Sequence, residues 1–519
     1  MSASREKKQR QGAGLSEKAL QAQREQAARK RKTVTYTVIG VVIAVLVAAL
    51  LIWRTGFFQG RATAATVGSN KFTVAEMNYY YYNARMREFY YYSYFGMTPP
   101  SDSTVRDNET GQTYREYFLE NALQSAQENL VLAEEARRSG HTEAEVKDRV
   151  DAQIKSLKTE ASSSGYSYSS YLKAMYGPYI SAGMFKKLYT RDLLASLVYN
   201  ERGTELYDGY TDDDLWAYYN ADDHADSLNT FKYSYLYFTP EAVEDKDSDG
   251  NALDEDTVAE LKSLAMAKAK ANAEAAEKAL QDGGDIASLA EEYELADANF
   301  GDHVTAVGIS SAVSALQDTL LSMEADDVEL VENGESGFYV VTLHSNVLVE
   351  TPTRDVRHIL IKAETTTDES GNTVAPTAEA WAAAQQKIEA IQAEYEAGNR
   401  TEDSFAALAN EKSDDGDGTT GGLYSDIDVN SRYVPEFLDW IFADGRKVGD
   451  TGIVQHDAGD TATGGYWGYH FIYLAAEHEP TWKITVRDTL TGEELRAWVD
   501  ELTADYPAAL TGGANNVGV

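Results

Sequence analysis

The stretch VRHILIK at Val356–Lys362 decides the fold. Short, apolar and rich in branched residues, it reads as a β-strand. An acidic turn, DESGN, an Ala-rich helix and the segment SFAALANEKS (Ser404–Ser413) follow, and a Gly-aromatic strand, GYHFIYL (Gly468–Leu474), closes the series. The same order occurs upstream: FKYSYLYF (Phe231–Phe238), DSDGN, an Ala-rich helix, IASLAEEY (Ile286–Tyr293) and GFYVVTL (Gly337–Leu343). Setting Leu236 on Leu360 gives an offset of 124, and Gly250 on Gly371 gives 121. Two occurrences at that spacing are two copies of one small α/β domain, at 228–349 and 352–478, rather than a solenoid.

Working outward from the repeat, residues 66–225 read as a mostly helical domain. Thr73 and Glu76 form a capping box after a short strand and turn. Helical patterns then cover Tyr114–Arg138, Glu143–Lys158, Ser169–Tyr199 and Thr211–Tyr219. Tyrosines are dense at 79–82 and 90–92, in keeping with either helix packing or a binding surface. In the C-terminal segment, 479–519, TWKITVRDTLTGEELRAWVDEL (Thr481–Leu502) predicts a strand, a turn and a helix, and TGGANNVGV predicts disorder.

At the other end, Val34–Trp53 is uncharged and spans roughly 30 Å as a helix, enough for a bilayer core. Arg29-Lys30-Arg31-Lys32 directly precedes it, so the positive-inside rule puts residues 1–32 in the cytoplasm as a basic tail. The expectation is a transmembrane helix at 33–53, a linker at 54–65 and everything beyond outside the cell membrane. A cleaved signal peptide is the alternative, with RATAA (Arg61–Ala65) as a cutting site.

The chain has 519 residues, 43% hydrophobic and 25% charged, as in a globular protein of several domains. It has no cysteine, which excludes disulfides, thiolate zinc sites and a lipidated N-terminal cysteine. Net charge is −38, although residues 1–32 hold ten Lys/Arg against three Asp/Glu. So acidic a body argues against nucleic acid as a partner. The eight histidines show no metal-ligand spacing, and no P-loop, GxSxG or HExxH motif is present. No metal and no cofactor are expected. Asp245, Asp247, Asp249, Gly250 and Asp256 match an EF-hand loop loosely, and a solvated turn is the preferred reading.

In residues 352–478, RHILI, then S-x-D, GGL, VPEFLDWIF and GYHFI, in that order, resemble the parvulin (PpiC) family of peptidyl-prolyl cis-trans isomerases. The succession of helical domain, two such units and a terminal segment resembles the SurA-type chaperones, and the single anchor the PrsA-type foldases. The resemblance implies an α+β architecture: an N-terminal transmembrane helix, a mostly helical SurA-N-like chaperone domain, then two tandem parvulin-like α/β domains, the first degenerate. It implies that His358 and His470 form a hydrogen-bonded pair beneath the pocket and that Asp415 faces the substrate carbonyl. Leu423, Tyr433, Phe437 and Phe442 would line the proline site. Two positions depart from the family: the glycine loop is shortened to Gly421-Gly422-Leu423-Tyr424, and Gly465 stands where a threonine precedes the second histidine by five residues, with Thr463 nearby.

In the first copy, Ser234 and Tyr339 are expected at the two histidine positions, so residues 228–349 should bind rather than catalyse. Acidic residues around Asp368 and Glu369 argue against a phosphorylated motif. The implied function is isomerisation of X–Pro bonds in unfolded, exported polypeptides, a step slow enough to limit folding. A non-catalytic holdase using both copies for clients, or an envelope scaffold protein, are the competing classes. The oligomeric state is left open.

Overall fold

A computed structural model describes residues 17–54, 57–221, 224–246, 252–301, 304, 306–368, 373–416, 418–459 and 465–519; the side chains of 17–23, 25–28, 48–54 and Phe57 lie outside that description. Asp247–Asn251 of the acidic loop, Glu369 and Thr463 fall outside it too. The chain divides into two compact units, Met1–Asp208 with Thr491–Val519, and Gly209–Leu490.

In the first unit a helix runs over Glu17–Arg54, with Val34, Ile39, Val42, Ile43 and Leu46 exposed along it. Among the described residues no helix is long and apolar enough to cross a membrane. The expected linker is instead structured: a short helix, Phe57–Arg61, leads into β1 (Thr63–Val67). β1 pairs antiparallel with β2 (Asn70–Thr73) on one side and with the strand Ala508–Leu510 on the other.

The Thr73–Glu76 capping box starts the helix Val74–Tyr94, and a second, Thr113–Glu116, starts Tyr114–Arg138. Helices Glu143–Ser163, Tyr168–Tyr176 and Ala182–Gly209 follow. The long helix expected over 169–199 is two helices, because Gly177 sits at φ +96° and Pro178 follows it. Tyr79, Tyr80 and Tyr81 are core residues packed with Met77, Phe118 and Phe185. Tyr79 and Tyr80 send their hydroxyls to the Asp192 carboxylate at 2.6 and 3.1 Å, so the rings are buried without stranding a polar group.

The C-terminal segment departs from expectation twice. Thr481–Ala504 is one helix, not strand and turn. Trp482 and Val486, four residues apart, are buried against Leu215, and that packing outweighs the strand preference of ITV. Beyond it the chain is ordered: Val517 is fully buried and Arg115 donates to the Ala514 and Val517 carbonyls. The boundary expected near 225 falls at Asp208, since the helix Asp212–Tyr219 shares its cluster with Trp482 and belongs to the second unit.

That second unit contains two antiparallel sheets. In the first, the order is β4 (Ala298–Asn299), β3 (Thr230–Phe238), β7 (Phe338–Val347), β6 (Val328–Glu332), with β5 (Val307–Gly308) also on β3. In the other it is β11 (Leu423–Ile427), β8 (Arg354–Lys362), β13 (Gly468–Glu477), β12 (Thr451–His456). A two-residue hairpin, β9 (Thr366–Thr367) with β10 (Thr373–Val374), lies between β8 and its helix. Each sheet has one face under a long Ala-rich helix: Glu255–Gln281 over Leu236, Phe238 and Val340, and Ala378–Ala397 over Ile359, Ile361 and Phe471. The opposite face of the second sheet carries the site.

Candidate functional site

β8 and β13 pair so that His358 lies opposite Ile472 and His470 opposite Leu360. The two histidines are therefore diagonal neighbours on one face, the face turned away from the Ala-rich helix. Their rings meet edge to face, centroids 5.3 Å apart at 69°. Both are buried, at 5% and 4% exposure. The expected hydrogen bond between them is not formed. Nε2 of His358 turns outward to the Asp415 carboxylate at 3.0 Å, and Nε2 of His470 to the Tyr466 hydroxyl at 2.9 Å. Each Nδ1 is buried without a hydrogen-bond partner among the described residues.

Asp415 is positioned by the turn after the helix Glu402–Lys412, where its N–H donates to Ser413 Oγ. Its carboxylate also accepts from the Tyr424 hydroxyl at 2.8 Å. The hydrogen bond from His358, with that of Tyr424 added, holds the Asp415 carboxyl well below the usual carboxylate range against the opposing effect of burial. Burial pushes His470 down to about 3, helped by the neighbouring His358 and His456, so its imidazole stays neutral.

The helix Pro435–Ile441 closes the face from the side; Pro435 suits its first turn. Its Phe437 is 2% exposed and touches both histidines, at 5.5 Å and 83° to His358 and 5.3 Å and 54° to His470. Tyr433, 38% exposed, packs on Phe437 and edge-on to Tyr424. Tyr424 itself stacks on His358 at 4.8 Å and 19°.

His358, Asp415, His470, Phe437 and Tyr433 are thus brought together. Leu423 and Phe442 are not. Leu423 pairs opposite Arg357, one residue out of phase with His358, and is exposed, while Phe442 packs under the Arg354 guanidinium. The shortened loop explains the change. Gly421 and Gly422 both sit at φ +66°, and the Gly422 carbonyl accepts the His358 N–H, so the strand begins with Leu423 outward and Tyr424 inward. Sequence reasoning missed Tyr424 and Tyr466; the missing loop residue and the glycine at 465 were the signals that could have found them.

The first sheet carries a similar arrangement in different residues. Leu236 pairs with Val340 beneath its helix as Ile359 pairs with Phe471 beneath the other. The neighbours on the opposite face are Tyr235 and Tyr339, matching His358 and His470. Their rings lie 5.4 Å apart at 83°, and Tyr235 donates to Asp297 at 3.1 Å, as His358 does to Asp415. The expected Ser234 sits on the helix side, hydrogen-bonded to His344. Anchoring the repeat on Leu236 and Leu360 slipped the register by one residue, which exchanges the faces of a strand.

Asp355, Asp426 and His478 bring ligand atoms within 4.8 Å of one another. His478 Nε2 already pairs with Asp355 at 3.0 Å, and the Asp426 N–H caps the same oxygen, so an ion pair in a turn accounts for them. A cavity of about 520 Å³ beside Asn229, Asp428, Arg432 and Trp482 holds none of the site residues. The ring geometry, not that cavity, marks the chemistry.

Residues 358–461 match the family described as Rotamase, PPIC-type PPIASE domain. No curated protein matches the chain. Among solved structures it is similar to a peptidylprolyl isomerase (PrsA) from Bacillus anthracis, at 12% identity over 74% of this chain and 94% of that one, TM-score 0.17. It is likewise similar to a PrsA from Bacillus cereus, at 13% identity over 81% and 94%, TM-score 0.17. At these scores the structural likeness carries no argument, and the family match and the side-chain geometry stand on their own.

Proposed function

We propose, from the premise that residues 358–461 are a PPIC-type peptidyl-prolyl isomerase domain, that this protein is a foldase turning X–Pro bonds of unfolded, exported polypeptides at the His358–His470 site. The observation that carries the reading is the pair of buried histidines braced by Asp415 and Tyr466 and walled by Phe437 and Tyr433.

Rotation about the prolyl amide has a barrier of about 18–20 kcal/mol because C–N resonance is lost midway. No bond to substrate forms, so no nucleophile is required. The site acts by holding the proline ring against the aromatic wall, shedding water and favouring the twisted amide over the planar one. The Asp415 carboxylate is partly exposed, and His358 and the Tyr424 hydroxyl fix its orientation.

The test is the cis-to-trans rate of an unphosphorylated X–Pro peptide with the full chain, beside His358→Ala/His470→Ala. Acceleration lost in the double variant supports the assignment. A folded wild-type chain that leaves the rate at its uncatalysed value refutes it.

The uncharged run 33–53 behind Arg29–Lys32, on a helix whose apolar side chains are exposed, supports an anchor that leaves the bulk of the chain outside the membrane. Extraction of the cell membrane with alkaline carbonate should leave the protein in the pellet; release into the supernatant would remove the anchor from the proposal. The non-catalytic holdase is favoured by one separate observation. Tyr90, Tyr91, Tyr94, Phe95 and Met97 are exposed together at the end of the Val74–Tyr94 helix, a surface for unfolded clients.

A further inference from the structure

Within the isomerase reading, the buried imidazole of His470 presents a problem that the chain solves in its own way. A histidine ring works as a fixed wall only if its tautomer and tilt are fixed. The threonine that the family resemblance places five residues upstream is Gly465 here, which has no side chain to offer. One residue on, Tyr466 reaches back along the start of β13, and its hydroxyl oxygen lies 2.9 Å from His470 Nε2. Its ring also packs on His470 (5.8 Å, 66°) and on His456 (4.9 Å, 55°), whose Nδ1 lies 3.3 Å from Glu436. The phenol is therefore held by the His456 ring as it meets His470.

The other ring nitrogen settles the proton. Nδ1 of His470 is buried without a hydrogen-bond partner among the described residues. A bare lone pair there costs less than an orphaned N–H, so the proton belongs on Nε2, which donates to Tyr466. The hydroxyl proton of Tyr466 is then directed away from His470.

We propose that Tyr466 is a positioning residue that fixes the tautomer and ring angle of His470. Burial pushes the phenol up to about 12, so it remains a neutral hydroxyl at any pH at which the protein works.

The experiment is Tyr466→Phe in the full chain, which keeps the ring packing and removes only the hydroxyl. Two readouts are taken: isomerase kinetics, and the imidazole ¹⁵N spectrum of His470, assigned by its disappearance in His470→Gln. The expected result is a fall of roughly fivefold to tenfold in kcat with KM little changed, the size of one lost hydrogen bond. Alongside it, the wild-type pattern of a single Nε2–H tautomer should give way to a mixture. An unchanged His470 spectrum in a folded Tyr466→Phe protein overturns the proposal, whatever the kinetics. If the wild type shows no isomerase activity but the His470 spectrum still changes, the proposed function fails and the role of Tyr466 stands.

Discussion

His470 gains nothing from being charged where it lies. In an unfolded chain a histidine takes up a proton near pH 6.5, and in the folded protein burial defers this to about 3. Its contribution to stability is therefore complete above pH 6.5 and is lost as the pH falls toward 3. Between pH 7 and 4.5 the wild type should lose roughly 2–3 kcal/mol more stability than His470→Gln, measured by urea unfolding of each at both values. Equal losses would mean that the imidazole is not buried as described. Tyr424→Phe probes Asp415 in the opposite sense. Removing that donor lets the carboxyl rise toward its ordinary range, so the low-pH limb of the isomerase profile should move to higher pH, with activity at pH 7 reduced about threefold. A limb that stays in place would show that Tyr424 serves only to stack on His358.

At the scale of elements, β11 is held to β8 through a turn that glycine alone allows. A Cβ on Gly422 would lie 2.2 Å from the His358 carbonyl, at a φ of +66°. Gly416, at φ +78°, has open space around it. Gly422→Ala should cost roughly 3 kcal/mol or more and abolish activity, whereas Gly416→Ala should cost about 1 kcal/mol and leave the rate intact. Thermal melts and the peptide assay on the two variants give the comparison directly. Elements were also where the sequence was most and least legible. The paired strands and Ala-rich helices of both sheets, and the cap at Thr73, follow from periodicity and capping chemistry that are local. The faces of Tyr235 and Leu423 were not legible, because a one-residue register shift leaves the composition of a strand unchanged and reverses what it presents. The helix Thr481–Ala504 was missed for another reason: a tertiary contact, Trp482 and Val486 on Leu215, overrides a locally strand-like run.

At the scale of the whole molecule, the two sheets present different residues at matching positions. Tyr235 and Tyr339 occupy the places of the histidines in the first sheet, their rings edge to face at 5.4 Å. In the full chain, His358→Ala/His470→Ala should therefore lower catalysis to the uncatalysed rate, with no residual activity from the first sheet. Residual acceleration above a tenth of wild type would assign activity to that sheet. The first unit also depends on residues far along the chain. Deleting 508–519 removes a strand from β1, the buried Val517 and three carbonyl partners of Arg115, and should lower the melting temperature of that unit by several degrees while the isomerase rate persists.

That strand has a consequence for how the protein comes into being. β1 is synthesised early, yet its partner Ala508–Leu510 emerges some 440 residues later. At about 5–20 residues per second, the gap is tens of seconds, during which the sheet edge waits unpaired. The second unit is made within that interval and ends at Leu490, only 18 positions before Ala508. A newborn chain would thus have made the whole of residues 209–490 before the sheet of the first unit can close.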